Sequence, residues 1–310
     1  MNSSNLYLHL RRTRHARTER ILVLGEILWD IFPDSVRLGG AALNFAAHAR
    51  QLQHEALLIS AVGRDELGEQ AMHAVTSLGL DKRFIQTTAL FNTGTASVQF
   101  GPSHETSFSI ERPAAYDAVE LSDRDFQQII RWKPAWLYYG TLFSSMVSGK
   151  NLLNRLLQAV PDAKRFYDVN LRPGSNSPAL VLELLRAATV LKLNEEELAW
   201  LHEFTGLPAD AEGFCRAGAE CYGWSAVCVT LGARGCAMLA GGEYVEANGH
   251  TVDVADTVGA GDAFAAAFVH GFISDWPAVE IADFSNRVGA LVASVRGAIP
   301  NWSVKEVVDL

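Results

Sequence analysis

Two glycine-opened helices carry the residues whose types and spacing could do chemistry. In Asp256-Thr257-Val258-Gly259-Ala260-Gly261-Asp262-Ala263-Phe264, two glycines stand just ahead of an Ala-rich run that reads as a tightly packed helix. Glycines at a helix mouth leave backbone N–H groups pointing outward, and with the positive end of the helix dipole they make an anion site. A carboxylate at Asp262 would repel the anion, but it makes sense as a base on a hydroxyl that attacks a bound phosphate. The plainer alternative is a cap in which Asp262 satisfies those N–H groups. The second helix opens at Gly39-Gly40-Ala41-Ala42-Leu43-Asn44, with Asp30 nine residues before Gly39. An amide and a carboxylate beside exposed N–H groups suit vicinal hydroxyls, although capping alone also explains Asn44.

Three clusters lie where apolar runs end. Asp168-Val169-Asn170-Leu171-Arg172 puts Arg172 within reach of a phosphate or a substrate. In Lys192-Leu193-Asn194-Glu195-Glu196-Glu197, Asn194 and Glu197 can share a face and order the waters of a magnesium ion. Glu195 and Glu196 read as compensation of a helix dipole. Thr230-Leu231-Gly232-Ala233-Arg234-Gly235 either closes a hairpin or approaches a nucleotide. A dinucleotide fingerprint fails at Phe264, which stands where a third glycine would allow close packing. Gly149-Lys150-Asn151 lacks the upstream Gly and following Ser/Thr of a P-loop, and neither G-x-S-x-G nor H-E-x-x-H occurs. The four cysteines, Cys215, Cys221, Cys228 and Cys236, have no C-x2-C pair and read as small residues kept in a reducing compartment.

Short apolar runs at 20–25, 56–60, 135–139, 165–169, 190–193 and 226–230 read as buried strands. Helical patterns at 41–51, 67–78, 123–132, 149–160, 179–187 and 195–204 fall between them. The alternation predicts an α/β fold whose mostly parallel sheet is covered by helices on both faces. Ligands would bind beyond the carboxyl ends of its strands, where the clusters lie. One region departs from the pattern: residues 93–110 alternate in polarity around Gly101-Pro102. With 29–32 they suggest a small antiparallel sheet acting as a lid, its elements near 29–38 and 93–112; a static surface hairpin is the alternative.

The chain has 310 residues, 49% of them hydrophobic, and 35 acids against 26 Lys and Arg. A net charge of -9 argues against a nucleic-acid partner, which needs clustered positive charge. Residues 1–20 hold five Arg and one Glu, so the remainder is nearer -13. The basic stretch reads as a disordered extension ahead of one domain over 21–310. No apolar run approaches the roughly 18 residues of a membrane span, which fits a cytoplasmic protein.

In this order, these motifs resemble the ribokinase-like, or PfkB, carbohydrate kinases, over residues 21 to about 304. Asp256-Thr257-x-Gly259-Ala260-Gly261-Asp262 matches their most specific signature. Gly39, Gly40, Asn44, Ala46 and Gly63 match a second, with Gln53 departing from the usual small residue. The resemblance implies a ribokinase-like fold with a small β lid, and Asp262 as catalytic base above an anion hole at Gly259, Ala260 and Gly261. It implies sugar contacts at Asp30, Gly39, Gly40, Asn44, Arg112 and Arg172, and ATP contacts at Lys192, Asn194, Thr230, Gly232, Gly235 and Asn286. Magnesium would be held through water at Asn194 and Glu197. A monovalent cation such as potassium would sit by Asp256, Val258, Val292, Val295 and Gly297.

Gly25-Glu26-x-Leu28-x-Asp30 and Phe108 to Asp117 look most like the fructokinase branch. Arg at position 112 also occurs in 2-keto-3-deoxygluconate kinases, where it can meet a carboxylate. Fructose is therefore the first expectation, with another hexose or keto-sugar acid behind it and a homodimer as the assembly. A nicotinamide-dependent dehydrogenase and a non-catalytic sugar-binding protein are the readings from other classes.

Overall fold

The protein is described by a computed structural model covering residues 17–100, 106–174 and 177–310. The expected extension falls mostly outside the described residues, while Arg20 already opens the first strand. In β1 (Arg20–Leu24) the apolar run lacks alternation because both faces are covered. Ile21 and Val23 enter one core and Leu22 and Leu24 the other. The chain continues through β2 (Leu28–Ile31), β3 (Val36–Gly39), α1 (Ala41–Gln51), β4 (Glu55–Gly63), α2 (Glu66–Ser77) and β5 (Ile85–Thr88). Next come β6 (Gly94–Phe100), β7 (Thr106–Ile110), α3 (Asp123–Trp132), β8 (Trp136–Gly140), α4 (Thr141–Ser144) and α5 (Val147–Ala159). The alternation resumes with β9 (Lys164–Asp168), α6 (Pro178–Ala187), β10 (Val190–Asn194), α7 (Glu195–Thr205), α8 (Ala211–Tyr222) and β11 (Ala226–Thr230). A hairpin of β12 (Cys236–Ala240) and β13 (Glu243–Ala247) precedes α9 (Ala260–Ile273), α10 (Ala278–Ala293) and α11 (Val304–Asp309).

Nine strands form the main sheet in the order β13-β12-β11-β10-β9-β8-β1-β4-β5. It is parallel from β5 to β11 and antiparallel only at β12 and β13. From β1 the chain first adds strands on one side and then, starting with β8, on the other. The crevice between β1 and β8 is thus a topological switch point, where open α/β sheets bind ligands.

The lid is a separate four-stranded sheet, β3-β2-β6-β7. It is mixed and not wholly antiparallel as the sequence suggested, since β2 pairs parallel with β6. Both strands follow main-sheet strands, β1 and β5, that themselves run the same way. Of the four cysteines, Cys215, Cys228 and Cys236 are buried and Cys221 is exposed, and all are free thiols. No helix among the described residues is long and apolar enough to cross a membrane.

Two helices matter most for the site. Packing between them is close, and α9 is apolar around most of its circumference, with ten of its 14 residues buried. Its N-cap, Gly259, has φ 81°, and a Cβ there would lie 2.5 Å from the Ala298 carbonyl oxygen. Only glycine fits this left-handed, crowded position. α1 begins behind Gly40, whose φ is 107° and whose Cβ would meet the Glu26 carbonyl at 2.6 Å. Both sites of sequence interest are therefore sharp turns that deliver a helix N-terminus to the carboxyl edge of the sheet.

Candidate active site

Under the lid, the ends of β1, β8, β9, β10 and β11 surround a cavity of about 230 Å3. Asp30 and Leu28 of β2 with Ala96 and Ile110 supply its lid wall, and Glu26, Gly40 and Asn44 its floor. Asp30 is buried, which pushes its carboxyl up to about 6 despite the opposing charge of Arg172. Gly39 lets this carboxylate in, because a Cβ there would lie 2.5 Å from Asp30 Oδ2. Glu26 was not singled out as a site residue from sequence. Its carboxylate is buried in the cavity floor, accepts the Ala41 N–H at 2.9 Å and is raised above the usual range by desolvation.

Asn44 joins the two motifs. Its Nδ2 donates to Asp262 Oδ2 at 2.8 Å, across 218 residues of chain. Its Oδ1 is buried and takes no donor among the described residues. A buried acceptor without a partner is costly unless a ligand hydroxyl completes it. Burial, and then the Asp168 carboxylate, push the Asp262 carboxyl up to about 7; the Asn44 bond and the charges of Lys192 and Arg172 pull the other way. A carboxylate balanced near neutrality, in the wall of a cavity, is placed to accept a proton.

Around the α9 N-terminus, the Ala260 amide turns back to Thr257 O at 3.3 Å and the Asp262 amide to Gly259 O at 3.1 Å. The Gly259 and Gly261 amides take no acceptor among the described residues. These two N–H groups, with the helix dipole, make a place that can receive an anion. A second cavity of about 400 Å3 lies on the other side of this loop. Val252, Val254, Phe264 and Ala290 give it an apolar wall suited to a planar ring, while Gly232, Gly235 and Ala260 expose backbone. Thr230, Thr257 and Gly261 line both cavities, so the two meet at the anion loop. Asn286 lies in the second cavity, but its Nδ2 donates to Ala247 O and Asn248 O at 3.2 Å, holding the cavity wall.

Lys192 and Asn194, expected on the nucleotide side, line the first cavity with Glu197, Asn170 and Arg172. The Lys192 ammonium contacts both oxygens of the fully buried Asp168, at 2.9 and 3.2 Å. Burial alone would lower the lysine pKa, but the charges of Asp168, Glu197 and Asp262 with the Asp168 hydrogen bond together outweigh it, so the ammonium stays charged. Asn194 caps α7: its Oδ1 accepts the Glu197 N–H, and Glu197 Oε2 accepts the Asn194 N–H, both at 2.8 Å. Glu197 Oε1 accepts from Leu171 N at 2.7 Å. Hard oxygens with lone pairs to spare remain at this wall, a donor set that fits magnesium held through water. Among the described residues no group of three His, Cys, Asp or Glu could grip a metal directly.

Arg112 is not brought to the cavity. Its guanidinium pairs with Asp117, donates to Leu142 O at 2.7 Å and reaches the Ser145 hydroxyl. At the expected cation loop, Asp256 forms an ion pair with Arg37 of β3, Val292 is buried and Val295 exposed. Asp168 and Arg37 were missed as interacting groups because their partners lie far away in sequence. Glu26, by contrast, lies in Gly25-Glu26-x-Leu28-x-Asp30 just past β1, and that place at the carboxyl edge of the sheet is its signal.

The model of the pfkB family carbohydrate kinases matches residues 18–305. The chain belongs to this family and is an ATP-dependent sugar kinase with a ribokinase-like fold. It is 27% identical to the fructokinase of Escherichia coli over 300 residues, 90% of this chain and 95% of that one. Among solved structures it is similar to the fructokinase with bound ATP from Xylella fastidiosa, with a TM-score of 0.81 at 22% identity, covering 94% of this chain and 97% of that one. A double-mutant fructokinase from Vibrio cholerae O395 in a fructose-, ADP- and potassium-bound form gives a TM-score of 0.74 at 23% identity, over 91% of this chain and 94% of that one.

Proposed function

We propose that the chain transfers the γ-phosphoryl of ATP to a primary hydroxyl of a ketohexose, fructose first. The observation that carries this reading is the Asn44–Asp262 pair, with its unpartnered Oδ1, at the junction of two cavities. The smaller cavity would hold the sugar, with Asp30, Glu26 and Asn44 accepting or donating to its hydroxyls. The larger would hold the nucleotide, whose purine lies on the apolar wall. Asp262 takes the proton of the attacking hydroxyl, while the Gly259 and Gly261 amides receive the oxygens of the transferring group. Lys192 adds positive charge beside Asp262. Magnesium, held through water near Asn194 and Glu197, supplies neutralisation of the phosphate charge when bound. The lid strands exclude water from the sugar side.

A keto-sugar acid is the second reading, because Arg172 on the cavity wall could meet a carboxylate. Against it, the Arg112 guanidinium faces Asp117, and Glu26, Asp30, Glu197 and Asp262 make the wall rich in carboxyl groups. A neutral polyol suits that wall better. Coupled ADP release over a panel of fructose, other hexoses, ribose and 2-keto-3-deoxygluconate tests the choice. Fructose should give the highest kcat/KM; a keto-acid preference would overturn the fructose reading.

A further inference from the structure

The Asp256 carboxylate sits at the base of the anion loop, with its side chain only 10% exposed. Oδ1 accepts the Val258 N–H at 3.0 Å, and Oδ2 accepts the Gly297 N–H at 3.2 Å. Its third partner is a full charge: the Arg37 guanidinium, reaching from the lid, forms an ion pair with Oδ2. Arg37 is itself steadied by the Phe32 ring, 4.4 Å beneath the guanidinium. In the β2–β3 ladder it stands directly opposite Asp30. One side chain thus connects the sugar-side strand to the loop whose amides face the phosphoryl group.

A monovalent cation at this loop, as the family resemblance implies, does not fit these residues. Asp256 is already neutralised, and the Val292 carbonyl accepts the Val295 N–H at 3.1 Å. A second cation against the same carboxylate would meet the guanidinium charge at close range. Without the guanidinium, a largely buried carboxylate would keep its two N–H donors but lose its counter-charge, an unfavourable state.

We propose that Arg37 is a positioning residue that supplies at Asp256 the charge a bound monovalent cation would bring, so this kinase shapes its anion loop from its own lid and needs no potassium. The proposal rests on the kinase reading of the same site, and its test has one arm that does not. The full-length wild type, Arg37→Ala and Arg37→Lys are compared in potassium chloride and in tetramethylammonium chloride at equal ionic strength. In thermal unfolding, the wild type and Arg37→Lys should melt alike in both salts. The Arg37→Ala protein should melt lower in tetramethylammonium and rise saturably with potassium. In sugar-dependent ADP release, Arg37→Ala should lose about tenfold in kcat in tetramethylammonium and recover most of it in potassium, because a displaced loop misaligns the anion donors. Wild-type kcat should not respond to the choice of cation.

Potassium stabilising or activating the wild type as much as the alanine variant would overturn the proposal. So would an alanine variant indifferent to potassium in both readouts. If Arg37→Ala does not fold, the wild-type comparison decides alone, since a potassium response there contradicts the proposal. If no sugar elicits ADP release, the functional reading fails, while the melting comparison still decides the role of Arg37.

Discussion

Among single residues, Asp262 is the one whose tuning governs the proposed chemistry. Burial and Asp168 lift Asp262 to about 7, and Asn44 opposes them through its hydrogen bond. An acid whose working form is the carboxylate gives a rate that rises with pH through its pKa. The acidic limb of kcat/KM should therefore fall near pH 7. Asn44→Ala removes a contribution that lowers the pKa, so its limb should move to higher pH, as a pH–rate profile under saturating ATP would show. A limb that stays put, or moves down, contradicts the coupling. Asp262, Asn44 and the glycines were legible in the sequence because their types carry meaning beside a helix start. Asp168 was not assigned a role there: it acts on Asp262 by direct charge repulsion from a distant strand, while its own partner, Lys192, lies 24 residues away. Arg112 shows the converse, a residue whose type suggested substrate while a local pair with Asp117 and bonds to Leu142 and Ser145, distant in sequence, engage it elsewhere.

Whole elements set the precision with which these groups are held. α1 carries Asn44 on one turn and Phe45 on the next position, where the Phe45 ring stacks 4.1 Å from Tyr138 of β8. This contact fixes the helix against the sheet on the far side of the switch point. Phe45→Ala should destabilise the protein by about 3–5 kcal/mol. Chemical denaturation checks this, and a change under 1 kcal/mol would show that the contact is not the anchor. Helix and strand positions were readable because a doubly covered parallel sheet makes uninterrupted apolar runs between 3.6-periodic segments. The predicted span 41–51 coincides with α1, and 226–230 with β11. The pairing of the lid was less legible, because alternation reports which face of a strand is solvated and not the direction of its neighbour. Hence β2 beside β6 proved parallel.

Over the whole molecule, contacts distant in sequence lock the site into one body. His48 of α1 holds Ala298 through Nε2 at 2.9 Å, while its Nδ1 accepts the Trp302 indole N–H at 3.1 Å. Because Nδ1 is the acceptor, Nε2 carries the proton and the ring is neutral. Burial lowers its pKa from 6.5 to about 4. The unfolded chain therefore binds the extra proton first, and this contribution to stability is complete above about pH 6.5 and lost as pH falls toward 4. The stability difference between wild type and His48→Gln should shrink by about 1–2 kcal/mol from pH 7 to pH 5. A difference independent of pH would rule out the buried neutral ring. Such long-range ties leave no periodic trace in sequence, although the glycine motifs that they orient do. Net charge was equally silent on the nucleotide: the proposed anion donors are two backbone amides at a helix end, set in an acidic molecule. The central claim, that Asp262 is the base of a sugar kinase, is tested most directly by ADP release from the wild type and Asp262→Asn with saturating ATP and the best sugar of the panel. The wild type should show sugar-dependent turnover and the variant a loss of about a thousandfold in kcat, with sugar KM little changed. Near-full turnover by Asp262→Asn would contradict it.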